Sequence, residues 1–173
     1  AFVSMHALNL FGKDGGPLAV ALLPLAGGLA GLLAGVVLGY VTTKKAGTTF
    51  AMISLGIGEL VAACALMFPG FFGGEGGVSG NRVVGKGNLL GFTWGPQIEM
   101  YWLIVAWAFL ATVAMFALTQ TPLGRMANAV RDNPERAEFV GYDTQRVRYL
   151  MLILSGFFAG IAGGLTALNY EIV

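Results

Sequence analysis

A single carboxylate lies inside an apolar run of this sequence, where it is well placed to contact a polar solute. Glu59 follows Gly56 and Gly58 near the middle of the apolar segment 50–68. Because a charged carboxylate is unfavourable in hydrocarbon, we expect Glu59 to face protein or a water-filled cavity. The two glycines favour local unwinding, which would turn backbone groups towards a solute. The alternative is a neutral Glu59 that hydrogen-bonds to a neighbouring helix.

The second feature that could contact a solute is a glycine-rich loop, whose backbone is not covered by side chains. The run G-G-E-G-G begins at Gly73 in the long loop 69–97, and its many glycines predict that no stable helix forms at the start of the loop. The run lacks the strand, the lysine and the helix start of a phosphate-binding loop, so a nucleotide site is not expected. Gly73 and Gly74 belong either to a re-entrant segment at the mouth of a pathway or to a plain flexible loop.

Catalytic and metal-binding chemistry is not expected. His6 is the only histidine, and the only cysteine, Cys64, lies inside an apolar run. Glu135 and Glu138 are three residues apart, a spacing that suits salt bridges with a partner better than acid and base catalysis. The sequence contains no Walker lysine motif, so any ATP hydrolysis must occur in another subunit. We therefore predict a chain that is not an enzyme and needs no metal or other cofactor.

Composition identifies the elements that must position these residues. Hydrophobic residues make up 56% of the 173 and charged residues 11%, with a mean hydropathy of +0.74. Too few polar residues remain to cover a water-soluble surface, so we predict an all-α integral membrane protein. The first residue is not methionine, and the chain stops just past an apolar run, so we expect a piece of a longer protein. The predicted membrane spans are about 18–41, 50–68, 98–118 and 149–168. Before the first span, residues 1–16 are expected to be a short mixed segment that ends in an exposed turn at Gly12-Lys13-Asp14-Gly15-Gly16.

Glycines recur every fourth residue in the first and fourth predicted spans. They are Gly27, Gly31, Gly35 and Gly39 in the first, and Gly156, Gly160 and Gly164 in the fourth. Such spacing lets two helices approach backbone to backbone in lipid, so we predict close packing of both spans. The alternative is a span that faces lipid and merely tolerates glycine.

Nine of the 19 charged residues lie in one connector, residues 120–148, between the third and fourth spans. Pro122 can open a helix whose apolar face holds Leu123, Met126, Ala127 and Val130. A second helix can be capped by Asn133 and stopped by Gly141, with Pro134 in its first turn. Two short helices with outward charges predict a docking surface for another protein; an ordinary solvated connector is the alternative.

Basic residues predict the orientation in the membrane. Seven of the ten lie on one side: Lys44, Lys45, Arg125, Arg131, Arg136, Arg146 and Arg148. The other side holds Lys13, Arg82 and Lys86. By the positive-inside rule, the connector faces the cytoplasm and the loop 69–97 faces outside.

The connector also carries a family resemblance. Glu135-Arg136-Ala137, followed three residues later by Gly141, resembles the E-A-A-x-x-x-G loop of ABC importer permeases, whose short helix fits a cleft of the ATPase subunit. The run T-P-L-G-R-M-A-N-A-V-R-D-N-P-E-R-A-E-F-V-G-Y-D, with L-S-G-F-F-A-G-I-A-G-G-L after it, is similar to permeases of branched-chain amino-acid importers. So are T-T-F-A-M-I-S-L-G-I-G-E-L and F-F-G-G-E-G-G-V-S-G. Arg136 replaces the second alanine of the general motif, and the usual following proline is missing.

The resemblance implies about four transmembrane helices of a larger ABC importer permease bundle in the bacterial inner membrane, with a cytoplasmic coupling helix. Its implied partners are cytoplasmic ABC ATPase subunits, a second permease subunit, an extracytoplasmic solute-binding protein and membrane lipid, with no nucleic acid. Its implied activity is ATP-driven uptake of branched-chain or related amino acids. The alternatives are an ATP-independent channel or secondary transporter that uses Glu59, and a non-transporting scaffold. The residues expected to couple to the ATPase are Arg125, Arg131, Asn133, Pro134, Glu135, Arg136, Ala137, Glu138 and Gly141.

Overall fold

The computed structural model describes residues 1–11, 16–45, 47–83 and 94–173. These residues form eight α helices, one short 3-10 helix at Gly74–Gly76 and an isolated bridge between Ser79 and Ile172. The helices are α1 (Phe2–Phe11), α2 (Gly16–Thr42), α3 (Thr48–Met67), α4 (Pro69–Phe72), α5 (Gln97–Gln120), α6 (Pro122–Asp132), α7 (Pro134–Phe139) and α8 (Thr144–Tyr170).

Four of these helices, α2, α3, α5 and α8, are long and apolar enough to cross a membrane. The prediction of an all-α membrane protein with four spans is therefore confirmed. Helix α8 begins at Thr144, well before the predicted 149, because the Asp143 side chain caps it by accepting a 3.0 Å hydrogen bond from the Arg146 amide. The first turn of α8 thus belongs to the charged connector.

Helices α2 and α8 form the most extensive helix pair and meet along their glycines. Gly27 and Gly31 of α2 lie against Gly160 and Gly156 of α8. A methyl group added at Gly27 would lie 2.5 Å from the Gly160 carbonyl oxygen, and one added at Gly31 would collide with the Gly156 carbonyl. We call this backbone-to-backbone contact the glycine seam. The same interface continues through Gly35 against Ile153, Gly39 against Leu152 and Tyr149, and Gly164 against Pro24.

The N-terminal segment differs from the sequence-based expectation. Residues 1–16 read as a short mixed segment, but Phe2–Phe11 form helix α1, which packs on α2 and α8. Ser4, Met5 and Leu8 are buried, since their spacing of one and three places them on one face of the helix. Ser4 fits beside Gly27 and Gly164 at one end of the glycine seam. The exposed turn predicted around residues 12–15 lies outside the described residues.

The start of the loop 69–97 also differs, because it does form one turn of helix. In α4, Pro69 occupies the first turn with its backbone angle already fixed. The turn is stabilised by α1: the His6 Nε2 nitrogen donates a 2.6 Å hydrogen bond to the Phe71 carbonyl, and the rings of Phe2 and Phe72 stack edge to face 4.9 Å apart. The glycines end this helix rather than prevent it, since Gly73 adopts the left-handed φ of 81°.

A buried arginine joins the loop 69–97 to the end of α8 that is remote from the connector. Arg82 donates hydrogen bonds to the carbonyls of Leu168 at 2.9 Å, Asn169 at 3.0 Å and Trp94 at 3.0 Å. Its Nε also lies 3.3 Å from a carboxylate oxygen of Glu171. We call this set of contacts the Arg82 clasp. It satisfies carbonyls at the C-terminal end of α8 that have no partner within the helix.

Candidate functional site: the connector and the mid-span carboxylate

Helix α6 is amphipathic in the manner that its sequence predicts. Val130 is buried with Ala137 of α7 and Val147 of α8, and Met126 and Ala127 pack against this cluster. The polar residues of the helix, Arg125, Asn128, Arg131 and Asp132, are exposed. The Thr121 hydroxyl caps the first turn by accepting a 3.4 Å hydrogen bond from the Gly124 amide. One face of α6 therefore holds the connector together while the other is open to a partner.

Helix α7 is fixed at both ends by the residues that its sequence signals. The Asn133 side chain accepts a 3.0 Å hydrogen bond from the Arg136 amide, and Pro134 occupies the first turn. At the other end, Gly141 has a φ of 95° and its amide donates to the Glu138 carbonyl at 2.9 Å. The next amide, of Tyr142, reaches back to the Ala137 carbonyl at 3.1 Å. This pair of bonds is a Schellman motif, so the predicted cap and stop are confirmed.

Side-chain hydrogen bonds join α7 to α8. The Thr144 hydroxyl donates a 2.7 Å hydrogen bond to the Glu138 carboxylate. The same hydroxyl accepts a 3.4 Å hydrogen bond from Nη2 of Arg148. Thr144 is itself buried. Together with the apolar contact between Ala137 and Val147, these bonds attach α7 to the first turns of α8.

The outward side of α7 presents an aromatic residue that the sequence reasoning did not select. Phe139 is 91% exposed, and the neighbouring Val140 is also exposed. Glu135, Glu138 and Phe139 line a shallow depression of about 340 Å³. The position of Phe139 in the helix could have predicted its exposure. Ala137 is the buried residue of this six-residue helix, and a residue two positions later lies on the opposite face. An exposed aromatic beside charged side chains is typical of an interaction surface.

The predicted pathway residues lie on a helix with no buried residue among those described. Glu59 is exposed, and a methyl group at Gly56 or Gly58 would meet no atom within 4 Å. Helix α3 runs unbroken through both glycines, so the unwinding that they favour does not occur in this structure. A backbone group released from a helix in an apolar segment needs another partner, and the described residues place none beside these glycines.

Gly73 and Gly74 occupy the turn between α4 and the 3-10 helix, beyond the end of α3. Both have left-handed φ angles, 81° and 61°. A methyl group at Gly73 would collide with the backbone of Gly77, so the turn needs glycine for its own closure. The residues predicted to couple to an ATPase lie together in the connector, and the described structure places Gly73, Gly74 and Glu59 in elements separate from it.

These features define a multi-pass α-helical membrane protein with a charged connector of two capped helices. A family model described as "Branched-chain amino acid transport system / permease component" matches residues 1–173. Since the match covers the whole chain, this chain belongs to that family of ABC permeases and is a multi-pass protein of the inner membrane. The family resemblance of the connector is thereby confirmed.

Individual relatives agree with the family match. The high-affinity branched-chain amino acid permease LivM of Escherichia coli is 28% identical over 165 residues, which are 84% of this chain and 39% of LivM. The guanosine ABC transporter permease NupQ of Bacillus subtilis is 30% identical over 69 residues, 40% of this chain and 22% of NupQ. A probable permease LivH of Methanocaldococcus jannaschii is 41% identical over 56 residues, 32% of this chain and 18% of LivH. No solved structure matched. The chain thus spans about two fifths of the length of LivM.

Proposed function

We propose that this chain is part of the membrane permease of an ATP-driven importer that moves branched-chain or related amino acids into the cytoplasm. The observation that carries the proposal is the connector: two capped helices, joined to the end of a membrane-spanning helix, that present exposed charges and an exposed aromatic ring. The family match and the name of LivM support the substrate class.

The connector binds the cytoplasmic ATPase subunits. Phe139 is the apolar anchor, because a large exposed ring that enters a pocket of a partner contributes strongly to binding. The exposed side chains of Arg131, Glu135 and Arg136 form a charged rim that sets the orientation of the partner. The excess of basic residues in and around the connector supports a cytoplasmic location for it, where ATP is available.

Movement of the ATPase subunits reaches the membrane through α8. The hydrogen bond between Glu138 and Thr144 carries a displacement of α7 into the first turn of α8. The glycine seam then moves α2 together with α8, because packed backbones leave no side chains that could adjust by changing rotamer. Alternating access follows when this pair shifts against the remaining spans.

Glu59 lines the solute pathway, and the rest of the permease completes that pathway. The surface of α3 is exposed among the described residues, and it is covered by the missing spans, the second permease subunit or lipid. Because a carboxylate is unfavourable against lipid, the face that carries Glu59, Gly56 and Gly58 is turned towards the water-filled pathway. An extracytoplasmic binding protein delivers solute on the side of Gly73 and Gly74.

The test is uptake by the full-length permease, reconstituted in proteoliposomes with its ATPases and its binding protein. Labelled leucine, guanosine and urea are offered with and without ATP, and the proposal expects ATP-dependent leucine accumulation. Uptake that survives without ATP, responds to external pH and disappears in Glu59→Gln would instead identify a secondary transporter. Absence of flux for all three solutes in a correctly assembled complex would indicate a scaffold.

A further inference from the structure

A cavity lies where the connector meets the membrane-spanning part of the chain. Its volume is about 530 Å³, and it opens between the start of α3, one side of α6 and the first half of α8. Its walls include Phe50, Asn128, Arg131, Arg148, Leu152 and Ser155. We call it the connector cavity. Most of its surface is apolar, but two arginines contribute to it and no acidic residue of the described chain lines it.

Arg148 differs from the paired arginines of the described chain. Arg146 is paired with Asp143 at 2.9 Å, Arg131 with Asp132 at 3.0 Å and Arg82 with Glu171. Arg148 is partly buried, its Nε is buried without a hydrogen-bond partner, and its hydrogen bond to the Thr144 hydroxyl is long, at 3.4 Å. Among the described residues, no carboxylate lies within ion-pair distance of it.

A partly buried guanidinium whose Nε has no hydrogen-bond partner and which has no counter-charge among the described residues is unfavourable, so this site favours an anion. The anion must also carry apolar groups, because Arg148 lines a largely apolar cavity. Arg148 is in the second turn of α8, where the charged connector passes into the membrane-spanning segment. An anion with apolar chains at that depth is a phospholipid.

We propose that the connector cavity binds an anionic phospholipid. Its phosphate accepts hydrogen bonds from the Arg148 guanidinium, with Asn128 and Arg131 at the rim, and an acyl chain lies along Leu152 and Ser155. Basic pockets between helices at a membrane boundary are suited to such headgroups. The lipid would wedge between α6 and α8, and would hold the connector at a fixed angle to the membrane.

The experiment uses the purified full-length permease complex in nanodiscs of phosphatidylcholine with a minor fraction of phosphatidylglycerol. Native mass spectrometry counts retained phosphatidylglycerol and measures its affinity. Loss of a charge-assisted hydrogen bond in Arg148→Gln is expected to weaken that affinity about tenfold. The matched control is Arg146→Gln, which removes an equal charge about half a helical turn from Arg148. The Arg146 side chain is 83% exposed and does not line the cavity. This control is expected to retain lipid as the wild type does.

A second variant keeps Arg148 and fills the apolar part of the cavity. Ser155→Leu, at an exposed position of α8, is expected to lower lipid retention while leaving the assembled complex intact. Retention at the wild-type level in both Arg148→Gln and Ser155→Leu would overturn the proposal. So would displacement of the lipid by inorganic phosphate alone, which would indicate a plain anion site. Unchanged lipid retention with loss of the second permease subunit in Arg148→Gln would instead show that protein covers Arg148. Transport need not be measured, so failure of this inference is separate from failure of the proposed function.

Discussion

Substitution of Gly31 by alanine tests the glycine seam most directly. A methyl group at this position would collide with the carbonyl of Gly156, which is backbone and cannot rotate away. The matched control is Gly56→Ala on α3, where a methyl group meets no described atom within 4 Å. Both positions lie inside membrane-spanning helices, so the two variants make the same chemical change in different packing environments.

The expected changes in the free energy of unfolding have opposite signs for the two variants. Overpacking a close interface costs about 1–3 kcal/mol, and the upper end applies to Gly31 because two backbones must separate. Replacing glycine by alanine within a helix returns about 1 kcal/mol of helix propensity. We therefore expect Gly31→Ala to lower the free energy of unfolding by about 2 kcal/mol and Gly56→Ala to raise it by up to about 1 kcal/mol.

The assay is thermal unfolding of the purified complex in one detergent. The folded fraction that remains after heating is measured by size-exclusion chromatography of a fluorescent fusion. Gly31→Ala should unfold several degrees below the wild type, and Gly56→Ala at or above it. A graded check is Gly35→Ala, whose methyl group would lie 3.0 Å from the Cα of Ile153 and should be tolerated better than Gly31→Ala. Equal unfolding temperatures for Gly31→Ala and Gly56→Ala would refute the inference that backbone contact holds α2 to α8.

Three further substitutions test the ends of the molecule. Phe139→Ala should weaken binding of the ATPase subunits by tenfold or more, measured by titration of labelled ATPase, while Phe139→Tyr retains most of the affinity. Arg82→Gln should lower the unfolding free energy by roughly 3 kcal/mol, because it removes a buried cation that several carbonyls share, and unchanged thermal stability would contradict the clasp. Asn133→Ala should destabilise α7 by about 1 kcal/mol and accelerate amide hydrogen exchange over 134–139, whereas Asn133→Asp, which still caps, should not.

The sequence predicted those features that depend on local signals. Four spans follow from continuous apolar runs, and the two connector helices follow from cap residues such as Asn133 and Gly141. Each of these signals acts within a few residues of the element that it defines. The same locality explains why α8 was predicted to start too late: hydropathy marks the apolar part of a helix, and the polar first turn capped by Asp143 is invisible to it.

The features missed by sequence reasoning depend on distant residues. Helix α1 is too short to register as a span and is held by packing on α2 and α8. Leu168 and Asn169, whose carbonyls accept hydrogen bonds from Arg82, lie 86 and 87 residues away in the chain. The sequence near Arg82 therefore does not predict these contacts. The role of Glu59 stays a prediction, because its partner is not among the described residues.

The Arg82 clasp has a mechanical consequence. Helix α8 has 27 residues, so its ends are about 40 Å apart, with Thr144 in the connector at one end and the clasp at the other. In the proposed coupling, an axial displacement of α8 that begins in the connector would shift the Leu168 and Asn169 carbonyls, which accept hydrogen bonds from Arg82. Residues 78–83 must then either move together with α8 or lose the hydrogen bonds from Arg82 to its carbonyls. Intermediate positions of α8 would leave the buried Arg82 cation with only part of its hydrogen bonds. The C-terminal end of α8 should therefore adopt two discrete positions instead of moving continuously.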